Sequence, residues 1–181
     1  MKRKAISGTF PYLLIHCAEY HGSTNHQVDK EGALGIKDAV WKATKWTIMK
    51  KHLGYTREEM ETFRENPRNA DILDKVPNLM DKTIVVEVVD SHGCNSQHDV
   101  GDKFYFDGAG NLLTKRCPNK VCIYALNAAT GLIFASNELV YAGVDPNEMR
   151  FKRAGCFDVG VQCGGWGRVV LELSVIDRHE A

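Results

Sequence analysis

An eleven-residue stretch, His92-Gly93-Cys94-Asn95-Ser96-Gln97-His98-Asp99-Val100-Gly101-Asp102, holds two histidines, a cysteine and two aspartates. Cys94 and His98 stand in a C-x3-H spacing that lets both side chains reach one ion from a helical turn or a tight loop. Thiolate and imidazole are the donors that zinc and iron–sulfur centres take. The same pair could serve instead as a nucleophile with its base. A third reading leaves Cys94 buried, His98 at the surface and Gly101-Asp102 as a turn, with His92 a bystander. Further along the chain Cys117 and Cys156 can join the pair. The expected metal ligands are therefore Cys94, His98, Cys117 and Cys156, with zinc favoured over an iron–sulfur cluster because mixed Cys/His sets are routine for zinc. Cys117-x4-Cys122 and Cys156-x6-Cys163 could complete an iron–sulfur or redox arrangement, although neither spacing is diagnostic.

A second constellation comprises His16, Cys17, His21 and His26. Neighbours 16 and 17 on a strand would point to opposite faces, so one of them at most joins the loop histidines. His21 and His26 are the candidate catalytic residues of an alternative reading. In it, a cleft between two halves of the chain brings them near Cys94 and His98.

The elements that must position these residues follow from pattern. Thr9 to Cys17 reads as a short strand and Ala18 to Lys30 as a polar loop. From about Glu31 to His52, Ile36, Val40, Ala43 and Thr47 recur at helical spacing, and Trp41 and Trp46 belong to packing. Thr56-Arg57-Glu58-Glu59 is a capping box that starts a helix ending near Asn66, and Pro67 opens another through Leu73. Pro77 is expected to end the helical region. Thr83 to Val89 is β-branched and marks a strand. Lys103 to Phe106 is another, closed by the turn Asp107 to Asn111. Cys117-Pro118 opens a segment from Lys120 to about Phe134 that fits a helix or a strand. Phe151 to Phe157 reads as extended, Gly160 to Gly167 as a glycine-rich turn, and Arg168 to Ile176 as a closing strand. Strands and helices without βαβ regularity imply an α+β fold. We expect a helical amino-terminal part (1–80) packed on a small mixed or antiparallel sheet with one helix in the carboxy-terminal domain (81–181).

Composition narrows the function classes. With 181 residues, 44% of them hydrophobic, the chain can bury a core without staples. Lys plus Arg and Asp plus Glu both number 23, so there is no global basic field to favour nucleic acid or an anionic membrane. No run approaches the roughly 18 apolar residues of a membrane span. The Phe10 to Ile15 run is too short for a signal-peptide core. The expected location is the cytoplasm, where the six cysteines are reduced thiols.

The stretch Val86 to Ile176 resembles a small uncharacterised prokaryotic family of about a hundred residues. Its pattern is a strand, a Cys, a Gly-His-x-Val-Gly-Asp-x-Phe element, a Cys-Pro opening a helix, and a late Cys-Pro-Asp before a Val-x-Phe-Glu-Leu strand. Cys94, His98-Asp99-Val100-Gly101-Asp102-Lys103-Phe104, Cys117-Pro118, Cys156-Phe157-Asp158 and Val170-Leu171-Glu172-Leu173 carry the resemblance. Gln97 replaces the family's Gly, Phe157 replaces its Pro, and Cys163-Gly164-Gly165-Trp166-Gly167 is additional. The resemblance implies a shared fold and site at Cys94, His98, Cys117 and Cys156, and imports no activity. His21 to Asp29 is similar, with one residue inserted, to the His-Gly-x-Thr-His-x-Asp element of metal-dependent cyclases and amide hydrolases; the rest of that ligand motif is absent.

The leading expectation is a metal-binding protein, with a structural role or as a small, accessory subunit of a larger enzyme. The alternatives are a hydrolase or lyase acting on a small molecule, and a metal-free module for binding or homo-oligomerisation.

Overall fold

The computed structural model describes residues 28–181. Its contacts divide the chain into two compact units, 1–44 and 45–181. The expected strand from Thr9 to Cys17 and the histidines His16, His21 and His26 lie outside the described residues. Helix α1, Val28–Leu53, runs through the division between the units.

The second unit is α+β. Helix α2, Arg57–Glu65, starts at the expected capping box: Thr56 Oγ1 accepts from the Glu59 amide, and Glu59 reaches back to the Thr56 amide. Helix α3, Pro67–Met80, opens on its proline under an Asn66 cap. It does not stop before Pro77 but continues to Met80. A proline forfeits one intrahelical hydrogen bond, and here it sits in the last turn between the buried Leu73 and Leu79, whose packing favours keeping the helix. Trp46 packs edge-on against Phe63 at 6.2 Å.

Four antiparallel strands follow, in the spatial order β2-β1-β4-β3. They are β1 Lys82–His92, β2 Lys103–Asp107, β3 Arg153–Gly155 and β4 Arg168–Asp177. The segment read as extended from Phe151 to Phe157 thus forms only a three-residue strand. Ile84, Val86 and Val88 of β1, Phe104 and Phe106 of β2, and Val169, Leu171, Leu173 and Val175 of β4 form one buried cluster. The register pairs Val86 with both Phe104 and Leu173, so the alternating apolar residues share a face.

Helix α4, Ile123–Ala142, joins that cluster through Ala125 and Ala129. Small residues there let the helix backbone come close to the sheet. The open choice between helix and strand for Lys120 to Phe134 resolves as helix, beginning at Ile123 and running eight residues beyond Phe134. Near its end β1 shifts register between Val88 and Asp90, a bulge that re-aims the strand just before the loop holding Cys94 and His98. No helix among the described residues is long and apolar enough to cross a membrane.

Candidate metal and ligand site

Two loops meet above one end of the α4–sheet core. The first, 93–102, leaves β1 and returns to β2. Its base is laced to the strand, with the Val88 amide donating to the Asp102 carbonyl (2.8 Å) and the Gly101 amide to the Val88 carbonyl (2.9 Å). Gly101-Asp102 is therefore the turn that the sequence suggests. His98 is carried inward to 2% exposure and meets Phe104 edge-on at 5.1 Å, contrary to the reading that leaves it at the surface. Three contacts fix it. Ser91 Oγ donates to the His98 carbonyl at 2.5 Å, Asp102 Oδ2 lies 3.1 Å from His98 Nδ1, and the same carboxylate accepts from the Asp99 amide. With Nδ1–H donated to Asp102, Nε2 carries the lone pair. That nitrogen is buried and has no hydrogen-bond partner. A buried polar atom without a partner costs roughly 1–3 kcal/mol.

Gln97, just before His98, holds φ at 59°, a left-handed conformation, with its amide bonded to the Cys94 carbonyl (2.9 Å). Its side-chain oxygen accepts from Lys120 Nζ at 2.6 Å.

The second loop, 156–167, is built on Asp158. Asp158 Oδ1 accepts from the amides of Gly160 (3.1 Å) and Trp166 (2.9 Å), and Oδ2 from that of Gly167 (2.9 Å). The Gly167 amide, followed by that of Gly160, holds this carboxyl below its ordinary range against the opposing effect of burial. The glycines permit the close approach. A Cβ on Gly165 would stand 2.1 Å from Asp158 Oδ1, and one on Gly167 would stand 2.2 Å from the Gly93 carbonyl oxygen of the first loop. The glycine-rich run thus locks the two loops together and leaves Trp166 projecting, 76% exposed.

Between the loops and the start of α4 lies a cavity of about 520 Å³, lined by Cys94, His98, Cys122 and Cys156 with the aromatic side chains Tyr124, Phe157 and Trp166. Cys156 Sγ accepts from the Val169 amide (3.3 Å). Cys122 is the N-cap residue of α4. Burial pushes its thiol up, but the Ser96 side chain and the Ala125 and Tyr124 amides outweigh burial and hold it below the ordinary thiol value. Amides at a helix N-terminus favour a thiolate.

Of the expected ligands, Cys94, His98 and Cys156 line this cavity, and Cys117 does not. Cys117 caps a short 3-10 turn, where its sulfur accepts from the Tyr105 amide and donates to the Leu113 carbonyl, both at 3.4 Å. Five further residues carry the chain to Cys122, and that thiol joins the other three donors. Cys163 is exposed, and His92 is exposed at the end of β1. Sequence reasoning weighed Cys122 only as a pair with Cys117 and not among the expected ligands, and it gave Asp158 and Trp166 no role. The one available signal for Cys122 was its place directly before the apolar run that begins α4.

Among the described residues, the trio of ligand atoms all lying within 4.8 Å of one another is Asp177, His179 and Glu180. Its carboxylates are otherwise engaged: Asp177 with Lys82 at 2.5 Å, and Glu180 with the Asp177 amide. The cavity donors are spaced more widely than that trio.

Fold and site together define an α+β unit with a Cys3His-lined cavity between two locked loops. No family model matches the chain, and no curated protein or solved structure matches it.

Proposed function

We propose that the cavity binds a transition-metal ion through His98 Nε2 and the thiolates of Cys94, Cys122 and Cys156, with zinc as the preferred ion. The observation that carries this reading is His98. Its Nδ1 is held by a carboxylate, its Nε2 is buried and unpartnered, and the residue lines a cavity together with three cysteines. A carboxylate behind a histidine is the usual outer support of a metal-bound imidazole, fixing its tautomer and orientation. Three sulfurs and one nitrogen are a routine zinc set. The spacing of the donors implies that taking up the ion and closing the floor of the cavity are one event, coupled as in small metal-organised domains. A bound zinc, closed by four protein ligands, would cross-link the loops to α4. The resemblance of residues 86–176 to the small prokaryotic family agrees with this reading at Cys94, His98 and Cys156, and Cys122 takes the place given to Cys117. The five cysteines among the described residues are free thiols, which suits a reducing compartment, and we assign the protein to the cytoplasm.

Elemental analysis of anaerobically purified protein should give about one equivalent of zinc per chain, the stoichiometry of a single four-ligand site. Cobalt substitution should produce thiolate-to-metal charge transfer that Cys122→Ser weakens and Cys117→Ser leaves intact. Metal content that is negligible and indifferent to Cys94→Ser and Cys122→Ser would sink the proposal.

A further inference from the structure

We propose that the cavity above the Cys/His floor is a binding site for a small, flat, uncharged aromatic molecule carrying one polar group at its inner end. The proposal stands apart from the metal reading, whose four protein ligands would leave the ion no open position for the molecule. Volume is the first argument. A single ion needs little of the 520 Å³, whereas small-molecule sites occupy roughly 300–1,000 Å³ and are lined mainly by apolar and aromatic groups.

The rim is the second. Tyr124, Phe157 and Trp166 line the same cavity yet stay 64%, 66% and 76% exposed. Tyr124 and Phe157 meet edge-on at 6.4 Å, so the mouth is framed by ring faces and edges. The backbone that carries Trp166 is fixed. Its own amide and that of Gly167 are bound by Asp158, and the neighbouring glycines admit no Cβ. A large aromatic held outward on a locked loop is preorganised to stack on a ligand.

Charge is the third. The lining has two charged side chains, and both are committed within the protein: Asp158 to the loop amides, and Arg168 Nη2 to Asp90 at 2.5 Å. Asp90 balances the charge of Arg168, and the loop amides satisfy Asp158, so the lining presents no unbalanced charge. Away from the rings the lining is polar, with Asn95, Ser96 and the cysteines, so the preferred occupant is polar at one end and aromatic at the other.

The test compares 4-phenylimidazole with imidazole by calorimetry, on zinc-loaded and on chelator-stripped protein. In both forms the phenyl compound should bind about ten-fold tighter, the scale of one or two good aromatic contacts. That preference should vanish in the triple variant Tyr124→Ala/Phe157→Ala/Trp166→Ala, whose substitutions are all at exposed positions and whose fold circular dichroism would verify. Stripping zinc should leave the wild-type preference in place, because a four-ligand ion offers neither probe an open position. Equal affinity for the two probes, no binding of 4-phenylimidazole, or a preference that survives in the triple variant would overturn the site. Self-association of the wild type that Trp166→Ala abolishes would likewise overturn it, making the rim a subunit interface.

Discussion

The loops 93–102 and 156–167 use the same device to opposite ends. Each is organised by one aspartate that accepts from loop backbone, Asp102 from one amide and Asp158 from three. Asp102 spends its remaining capacity on the His98 ring and helps hold it in the core at 2% exposure. Asp158 spends its capacity on further amides and leaves Trp166 at 76% exposure. One loop therefore supplies a desolvated donor for the floor of the cavity, and the other an aromatic surface for its mouth. Damage to the first should appear in metal affinity, and damage to the second in ligand selectivity and loop order.

The largest expected effect is on the floor. His98→Ala should abolish stoichiometric metal binding, read by cobalt titration, and should cost stability by emptying a buried site against Phe104. Asp102→Asn leaves His98 in place but removes the charge behind it. It should lower metal affinity about 10–100-fold, the usual effect of losing an outer-shell carboxylate. If Asp102→Asn matches wild type in a competitive chelator titration, the imidazole is not held for a metal.

The rim loop should respond to acid. The amides around Asp158 lower its carboxyl below the ordinary value of about 3.9. A group whose folded value is depressed stabilises the fold above its unfolded value, and that contribution is lost as pH falls through the folded value. Trp166 emission, isolated by subtracting the Trp166→Phe variant, should change in an acid step below the usual carboxylate range. The Asp158→Asn loop, lacking the charge at every pH, should resemble the acid form at neutrality and show no step. A step of the same size in both proteins would assign the transition to another group.

Much of the scaffold was legible because local signals agreed with the tertiary structure. The β-branched run from Thr83 and the alternation of Arg168 to Ile176 give β1 and β4, and Thr56 with Glu59 starts α2. Pro77 misled because a breaker residue in a final turn can be outweighed by buried leucines on either side. The site was legible in part. Cys94 and His98 stand close in sequence, but Cys117 and Cys122 are separated by five positions with no periodicity to choose between them. Where the 3-10 turn ends and α4 begins decides that choice, and the turn engages the Cys117 sulfur with Tyr105 and Leu113. Asp158 was hidden because its amide partners lie up to nine residues onward, so its role exists only once the loop has closed.

The smallest effect sharpens the contrast between the loops. Gln97 carries the one positive φ of a non-glycine residue among the described residues. The left-handed conformation costs an L-residue about 1–2 kcal/mol, while glycine would lose about 0.4–1 kcal/mol through the greater freedom of its unfolded chain. Gln97→Gly also gives up the exposed bond from Lys120, whose net contribution is about 0.5 kcal/mol. These terms nearly offset, leaving an expected gain of roughly 0.5 kcal/mol or less, measurable as a small rise in the urea midpoint. Lys120→Ala should separate the terms, because it removes the bond and leaves the strain, and so should destabilise slightly where Gln97→Gly does not. If Gln97→Gly instead proves clearly destabilising while Lys120→Ala is neutral, position 97 is not strained. The turn that delivers His98 to the floor would then be as relaxed as the one that holds Trp166 at the mouth.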